Sequence, residues 1–78
     1  MAWFAFTDMR SGGHRKLSHE KLYTHANNER EAVKKFERTF YRDPDYVTCS
    51  CCGADFSVWE CEVVEVFASI GSGEGRTF

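Results

Sequence analysis

The sequence predicts an α+β fold: a small antiparallel β-sheet of about three strands with one amphipathic helix packed on one face, in ββαβ order. Three observations carry this expectation. Two runs compatible with strands, Trp3 to Thr7 and Lys21 to Ala26, come first. A helical repeat follows between Asn28 and Tyr41, and a run rich in Val and aromatic residues, Phe56 to Ala68, comes after a cysteine-rich turn.

Trp3 to Thr7 combines aromatic residues with β-compatible neighbours, and Asp8 with the turn signal Ser11-Gly12-Gly13 ends it. Residues 9–16 read as a loop, with Asp8 capping its turn. Along Lys21 to Ala26, the residues Leu22, Thr24 and Ala26 alternate with Tyr23 and His25, which places the two sets on opposite faces of a strand. Asn28 then offers a side-chain oxygen to the first turn of a helix, with acidic Glu31 at the third helical position.

Within that helix Ala32, Val33, Phe36 and Phe40 recur at helical spacing, while Arg30, Lys34, Lys35, Glu37 and Arg38 cover the outside. Glu31 and Lys35 stand four residues apart in the favourable orientation, and Pro44 disfavours helical geometry at Asp43, so the helix ends near Tyr41. Beyond it, Trp59, Cys61 and Val63 alternate with Val58, Glu60 and Glu62 as in a strand with one wet face. Val64, Val66 and Phe67 break that alternation. A bulge near Val64 restores the register; the competing reading is a helix with Glu60, Val63, Val64 and Phe67 on one side. Gly71, Gly73 and Gly75 mark a flexible tail, so residues 1–70 form a single domain and 71–78 its tail. Phe36 and Phe40 are expected to meet Phe4, Phe6, Trp59 or Val63 in the core.

A chain of 78 residues buries only about 60% of the surface its unfolded form exposes, so the core is thin. One Pro, six Gly and 15% aromatic residues nevertheless argue for a folded chain rather than a disordered one. The net charge of -2 supplies no overall basic field for a phosphate backbone. No apolar stretch spans a bilayer, and no secretory signal is visible at the N-terminus, so a cytoplasmic, reducing setting is expected. There, clustered cysteines serve as metal ligands or reactive thiols more often than as disulfides.

All four cysteines, Cys49, Cys51, Cys52 and Cys61, lie in one short stretch. Cys49, Cys52 and Gly53 have the Cys-x-x-Cys-Gly form of a zinc knuckle, in which two sulfurs share a tetrahedral ion and the glycine accepts positive φ. One structural Zn2+ needs two further ligands, for which Cys51, Cys61, His14, His19 and His25 are candidates. Free structural thiols and a Cys-x-x-Cys redox pair are the competing readings; the redox pair lacks the helix N-terminus that lowers a thiol pKa. No nucleophile stands beside an identifiable base, so an enzyme is not expected.

Charge is unevenly spread. Arg30, Lys34, Lys35 and Arg38 make one side of the helix positive, whereas Asp55, Glu60, Glu62 and Glu65 put acid on the last strand. A surface polarised in this way steers protein partners. Tyr41 and Tyr46 near the basic helix make contact with single-stranded nucleic acid conceivable.

Phe6-Thr7-Asp8-Met9 followed by Ser11-Gly12-Gly13, together with Asp43-Pro44 leading into Val47-Thr48-Cys49-Ser50-Cys51-Cys52-Gly53-Ala54-Asp55-Phe56-Ser57, resembles a family of small proteins encoded by tailed bacteriophages. The resemblance reaches to about Glu60 and implies action in an infected bacterium, by stoichiometric binding that inhibits or redirects a host protein or a defence system such as a CRISPR effector. The partner-binding residues expected are Arg30, Lys34, Lys35, Arg38, Asp55, Glu60 and Glu62. The alternatives are a zinc-knuckle nucleic-acid module using the basic helix and a thiol redox protein.

Overall fold

The computed structural model describes residues 1–9, 13, 17–47 and 53–78. Strand β1 (Ala2–Asp8) pairs antiparallel with β2 (Lys21–Ala26), from Ala2 opposite Ala26 to Thr7 opposite Lys21. On its other side it pairs antiparallel with β3 (Phe56–Cys61), from Trp3 opposite Cys61 to Asp8 opposite Phe56. A short strand β4 (Gly75–Thr77) joins β2 in parallel, and the sheet runs β3-β1-β2-β4. The α+β class is as expected, but with four strands and two helices in ββαβαβ order.

Helix α1 (Glu29–Phe40) connects β2 to β3, and α2 (Val63–Gly71) connects β3 to β4. Because β1 opposes both neighbours, β2, β3 and β4 point the same way, and each helix closes a parallel crossover. Such crossovers are nearly always right-handed. The first crossover steps across the sheet in one direction and the second returns in the other, so the same hand puts the two helices on opposite faces. The burial pattern agrees: alternate residues of each strand enter two separate cores.

The α1 side holds the larger core, with Phe4, Phe6, Leu22, Ala26, Ala32, Phe36 and Phe56 buried. Phe36 stacks on Phe6 at 4.6 Å between ring centroids, and Phe56, Phe40 and Phe78 meet it edge-on or tilted at 5.0, 4.8 and 5.8 Å. Side-to-edge aromatic packing of this kind adds to the burial of the rings themselves. The opposite face buries Ala5 and Tyr23 under Val66 of α2, with Trp3, Trp59 and Cys61 partly covered around them. Trp59 and Val63 therefore stand apart from the phenylalanine core, contrary to expectation. The period-two alternation that selects a face puts Trp59 on the α2 side, and Val63 lies in the first turn of α2.

The ends of α1 follow from its sequence. Asn28 is the N-cap, its Oδ1 accepting from the Glu31 backbone N–H at 2.9 Å. At the other end Tyr41 adopts left-handed geometry, φ 56 and ψ 39, and its N–H donates to the Glu37 carbonyl at 2.9 Å. Among the described residues the expected pair between Glu31 and Lys35 does not form.

Two expectations are corrected. The run after Cys61 turns into helix α2 instead of continuing as a bulged strand: Val63, Val66, Phe67 and Ile70 repeat at helical spacing, and Glu62 turns the chain as the helix N-cap without a side-chain cap bond. Residues 71–78 are not a loose tail. Gly73 takes φ +83, the Lys21 N–H donates to the Glu74 carbonyl at 3.3 Å, and the Phe78 N–H donates to the Tyr23 carbonyl at 2.9 Å. Gly75 allows this approach, since a Cβ there would run into Ser69 Oγ and lie 2.8 Å from Tyr23 Cε2.

Candidate functional site

Helix α2 turns one line of side chains to the sheet and another to solvent. Val66 and Ser69 are its buried residues. Val63, Val64, Phe67 and Ile70 occupy the outer surface, with Val64 70% and Phe67 69% exposed. Positions i, i+1, i+4 and i+7 lie along one side of a helix, so the four form a continuous apolar stripe. Contiguous exposed apolar patches on small domains are candidate interaction surfaces, whereas singly scattered apolar residues are ordinary.

The stripe has an acidic border. Glu62 is the N-cap residue of α2 and Glu65 lies in its first turn, while Glu60, next to last in β3, shares the parity of Phe56 and Val58 and belongs to the α1 side. No Lys, Arg or His occurs between Arg42 and Arg76. Cys61 is partly buried opposite Trp3. Burial first, then the charges of Glu65, Glu60 and Glu62, push its thiol from 9.0 up to about 11. A thiol held protonated in this way is a poor nucleophile and a reluctant metal ligand. Cys61 is free.

Of the expected acidic surface, Glu60 and Glu62 are exposed, but Asp55 is only 2% exposed. Its backbone explains why: the Asp55 N–H donates to the Tyr46 carbonyl at 2.8 Å, and its carbonyl accepts from Met9 N–H at 2.9 Å, tying the start of β3 to the end of β1. Asp8, expected to cap a turn, is likewise buried at the end of β1, its N–H donating to the Glu20 carbonyl at 2.8 Å.

The basic residues gather on the other side of the sheet. Lys34, Lys35 and Arg38 of α1 line a groove of about 430 Å³ together with His25 of β2, and Glu31 is the one carboxylate that lines it among the described residues. Arg30 lies a turn earlier on the same helix and is exposed. His25 stacks on Trp3, ring centroids 5.0 Å apart and planes 18° from parallel.

The proposed metal ligands are not brought together among the described residues. Cys49, Cys51, Cys52 and His14 lie outside them; Gly53, which follows the knuckle, has φ +78. His19 Nδ1 lies 3.0 Å from the Ser18 hydroxyl, and His25 lies against Trp3. Among the described residues no three His, Cys, Asp or Glu side chains form a group that could hold a metal ion. No described helix is long and apolar enough to cross a membrane.

The strand reading counted Val63 as core and left Val64 and Phe67 as a broken alternation, whereas the competing helical reading put Val63, Val64 and Phe67 on one side, as they stand in α2. The signal was present in the helical spacing of Val63, Phe67 and Ile70. Neither family models, nor curated proteins, nor solved structures match this chain.

Proposed function

We propose that the chain is a small stoichiometric protein-binding module that docks its partner on the outer surface of α2. The exposure of Val64 and Phe67 on a helix already fixed to the sheet carries this reading. Large apolar side chains held in solvent are costly unless another surface covers them. The acidic border favours as occupant a protein segment with an apolar ridge flanked by Lys or Arg, which Glu62 and Glu65 would steer and orient. A second copy of the chain fits less well, because an α2-to-α2 contact brings like charges together at Glu62 and Glu65.

The resemblance to small tailed-phage proteins supports a setting for this binding, a host protein or defence effector that is inhibited or redirected by being occupied. In the same reading one structural Zn2+ on Cys49 and Cys52 serves the fold rather than the docking face. The left-handed Gly53 supports it, as a knuckle turn needs that conformation.

Affinity capture from bacterial lysate, with the chain compared against a Val64→Asp, Phe67→Asp variant, tests the docking face. The wild-type chain should retain a nuclease-insensitive partner whose native mass shows a one-to-one complex, plus a zinc mass lost on chelation. The variant should bind at least about 30-fold more weakly, the loss of about 2 kcal/mol typical of anchor residues, with its far-UV spectrum unchanged. Equal retention by the folded variant would sink the docking assignment. A self-dimer in the mass spectrum would replace the basic partner with a second copy.

A further inference from the structure

We propose that the outer edge of β3 is a strand-addition site through which two copies of the chain pair, on a surface separate from the α2 stripe. The sheet runs β3-β1-β2-β4, so β3 and β4 are its edges. They are not alike. β4 has three residues with Arg76 exposed in the middle, and short charged edges of that kind resist pairing. β3 has six residues in unbroken register with β1, and Phe56-Ser57-Val58-Trp59-Glu60-Cys61 contains no Pro, Lys or Arg to blunt it.

Which backbone groups of β3 face outward follows from its hydrogen bonds. The Met9 N–H donates to the Asp55 carbonyl at 2.9 Å, and the Phe56 N–H donates away from β1, to the Pro44 carbonyl at 3.0 Å. Residues of an antiparallel strand alternate between exchanging bonds with a neighbour and facing away from it. Ser57, Trp59 and Cys61 therefore bond to β1, whereas Phe56, Val58 and Glu60 face outward. Pro44 already occupies the Phe56 N–H. The N–H and carbonyl of Val58 and of Glu60 have no partner among the described residues.

These groups select a second copy as the occupant, because β3 matches itself. Around a two-fold axis between paired Trp59 residues, Val58 of each copy lies opposite Glu60 of the other, and every outward N–H and carbonyl of both residues is used. Moving the axis to Val58 would set Phe56 opposite Glu60, which needs the N–H that Pro44 holds. In the first register no carboxylate opposes another. The half-buried Trp59 then meets its counterpart at a non-hydrogen-bonded position, where side chains approach closest and aromatic pairs stabilise a sheet. A contact this narrow belongs to the low end of interface sizes, so the pair forms at high protein concentration and separates at the dilution of an affinity capture.

Sedimentation velocity of the reduced full chain from micromolar to millimolar concentration, with amide hydrogen exchange at both ends of that range, tests the proposal. The expected result is a monomer that becomes a dimer, with the Val58 and Glu60 amides about tenfold better protected at the high end. Glu60→Pro removes an outward donor at an exposed edge position and leaves the β1 ladder intact. It should weaken association at least about tenfold, since the two-fold axis makes each substitution cost two bonds. Glu60→Gln keeps the backbone and should associate at least as tightly as wild type, while Val64→Asp, Phe67→Asp should associate like it. A chain still monomeric at millimolar concentration overturns the site. So does a dimer that folded Glu60→Pro retains, or one whose new protection falls on α2 and which Val64→Asp, Phe67→Asp loses. If the far-UV spectrum shows Glu60→Pro unfolded, the wild-type exchange at Val58 and Glu60 decides alone.

Discussion

At Cys61 burial and neighbouring charge disfavour the thiolate of a residue that composition marks as reactive. Its strand position leaves it partly buried opposite Trp3, and the negative charges of Glu65, Glu60 and Glu62 act on it from around the β3 to α2 junction. All four influences disfavour the thiolate. The folded chain therefore holds this proton up to about pH 11, whereas the unfolded chain releases it near 9.0. The consequence for stability has one sign: the folded state is favoured by its proton below pH 9, and that advantage is lost as pH rises from about 9 to about 11. For reactivity, iodoacetamide should label Cys61 at pH 8 about tenfold more slowly than an unperturbed thiol, allowing for the greater nucleophilicity of the more basic thiolate. Labelling followed by peptide mapping separates Cys61 from the other cysteines. A Cys61 that reacts as fast as a model thiol would show that the carboxylates do not act on it.

Element by element, what was legible in the chain was what local chemistry decides. The alternation in Lys21 to Ala26 coincides with β2, and the Asn28 cap and the Phe36 to Phe40 spacing coincide with α1. The second half was less legible, because Val63, Val64, Val66 and Ile70 are β-branched and favour strands locally. Helix α2 forms against that preference since a parallel crossover from β3 to β4 needs an element that recrosses the sheet. Its candidate site was legible only in the competing helical reading, which put Val63, Val64 and Phe67 on one side, while the basic half of the surface, Lys34, Lys35 and Arg38, was legible from spacing on α1 alone. Strand β4 was unreadable for a different reason: three glycines signal mobility, and only the close approach of Gly75 to Ser69 and Tyr23 shows what one of them is for. Phe78, which follows β4, packs on Phe6, Phe36 and Phe40 at 5.6, 5.8 and 5.1 Å. Phe78→Ala should therefore cost about 2 kcal/mol, roughly half the loss for a fully buried ring, in urea unfolding. A midpoint unchanged at constant slope would return this segment to the status of a tail.

Over the whole molecule the two faces of the sheet are unequally secured, and the weaker one carries the proposed docking helix. On the α1 side a network of phenylalanine rings joins the helix to β1, β3 and Phe78. On the α2 side the buried contact consists of Val66 with Ala5 and Tyr23. Thr7 Oγ1, Tyr23 OH and Ser69 Oγ lie buried on that side without a hydrogen-bond partner among the described residues. Each such hydroxyl costs about 1–3 kcal/mol relative to a satisfied one. Against a total stability of about 4–12 kcal/mol for a chain of this length, that difference is large enough to let α2 open before the rest unfolds. Native-state hydrogen exchange in rising urea should accordingly find the amides of Val66 to Ile70 exchanging through an opening at least about 1 kcal/mol below that of β1, β2 and α1, roughly a fivefold difference in open population. One shared isotherm for both helices would show that the sheet faces unfold together and that α2 is not separately mobile. If α2 is the docking face, a bound partner should raise its protection toward that of α1, because apolar surface covered from outside supplies the burial that this side of the sheet lacks.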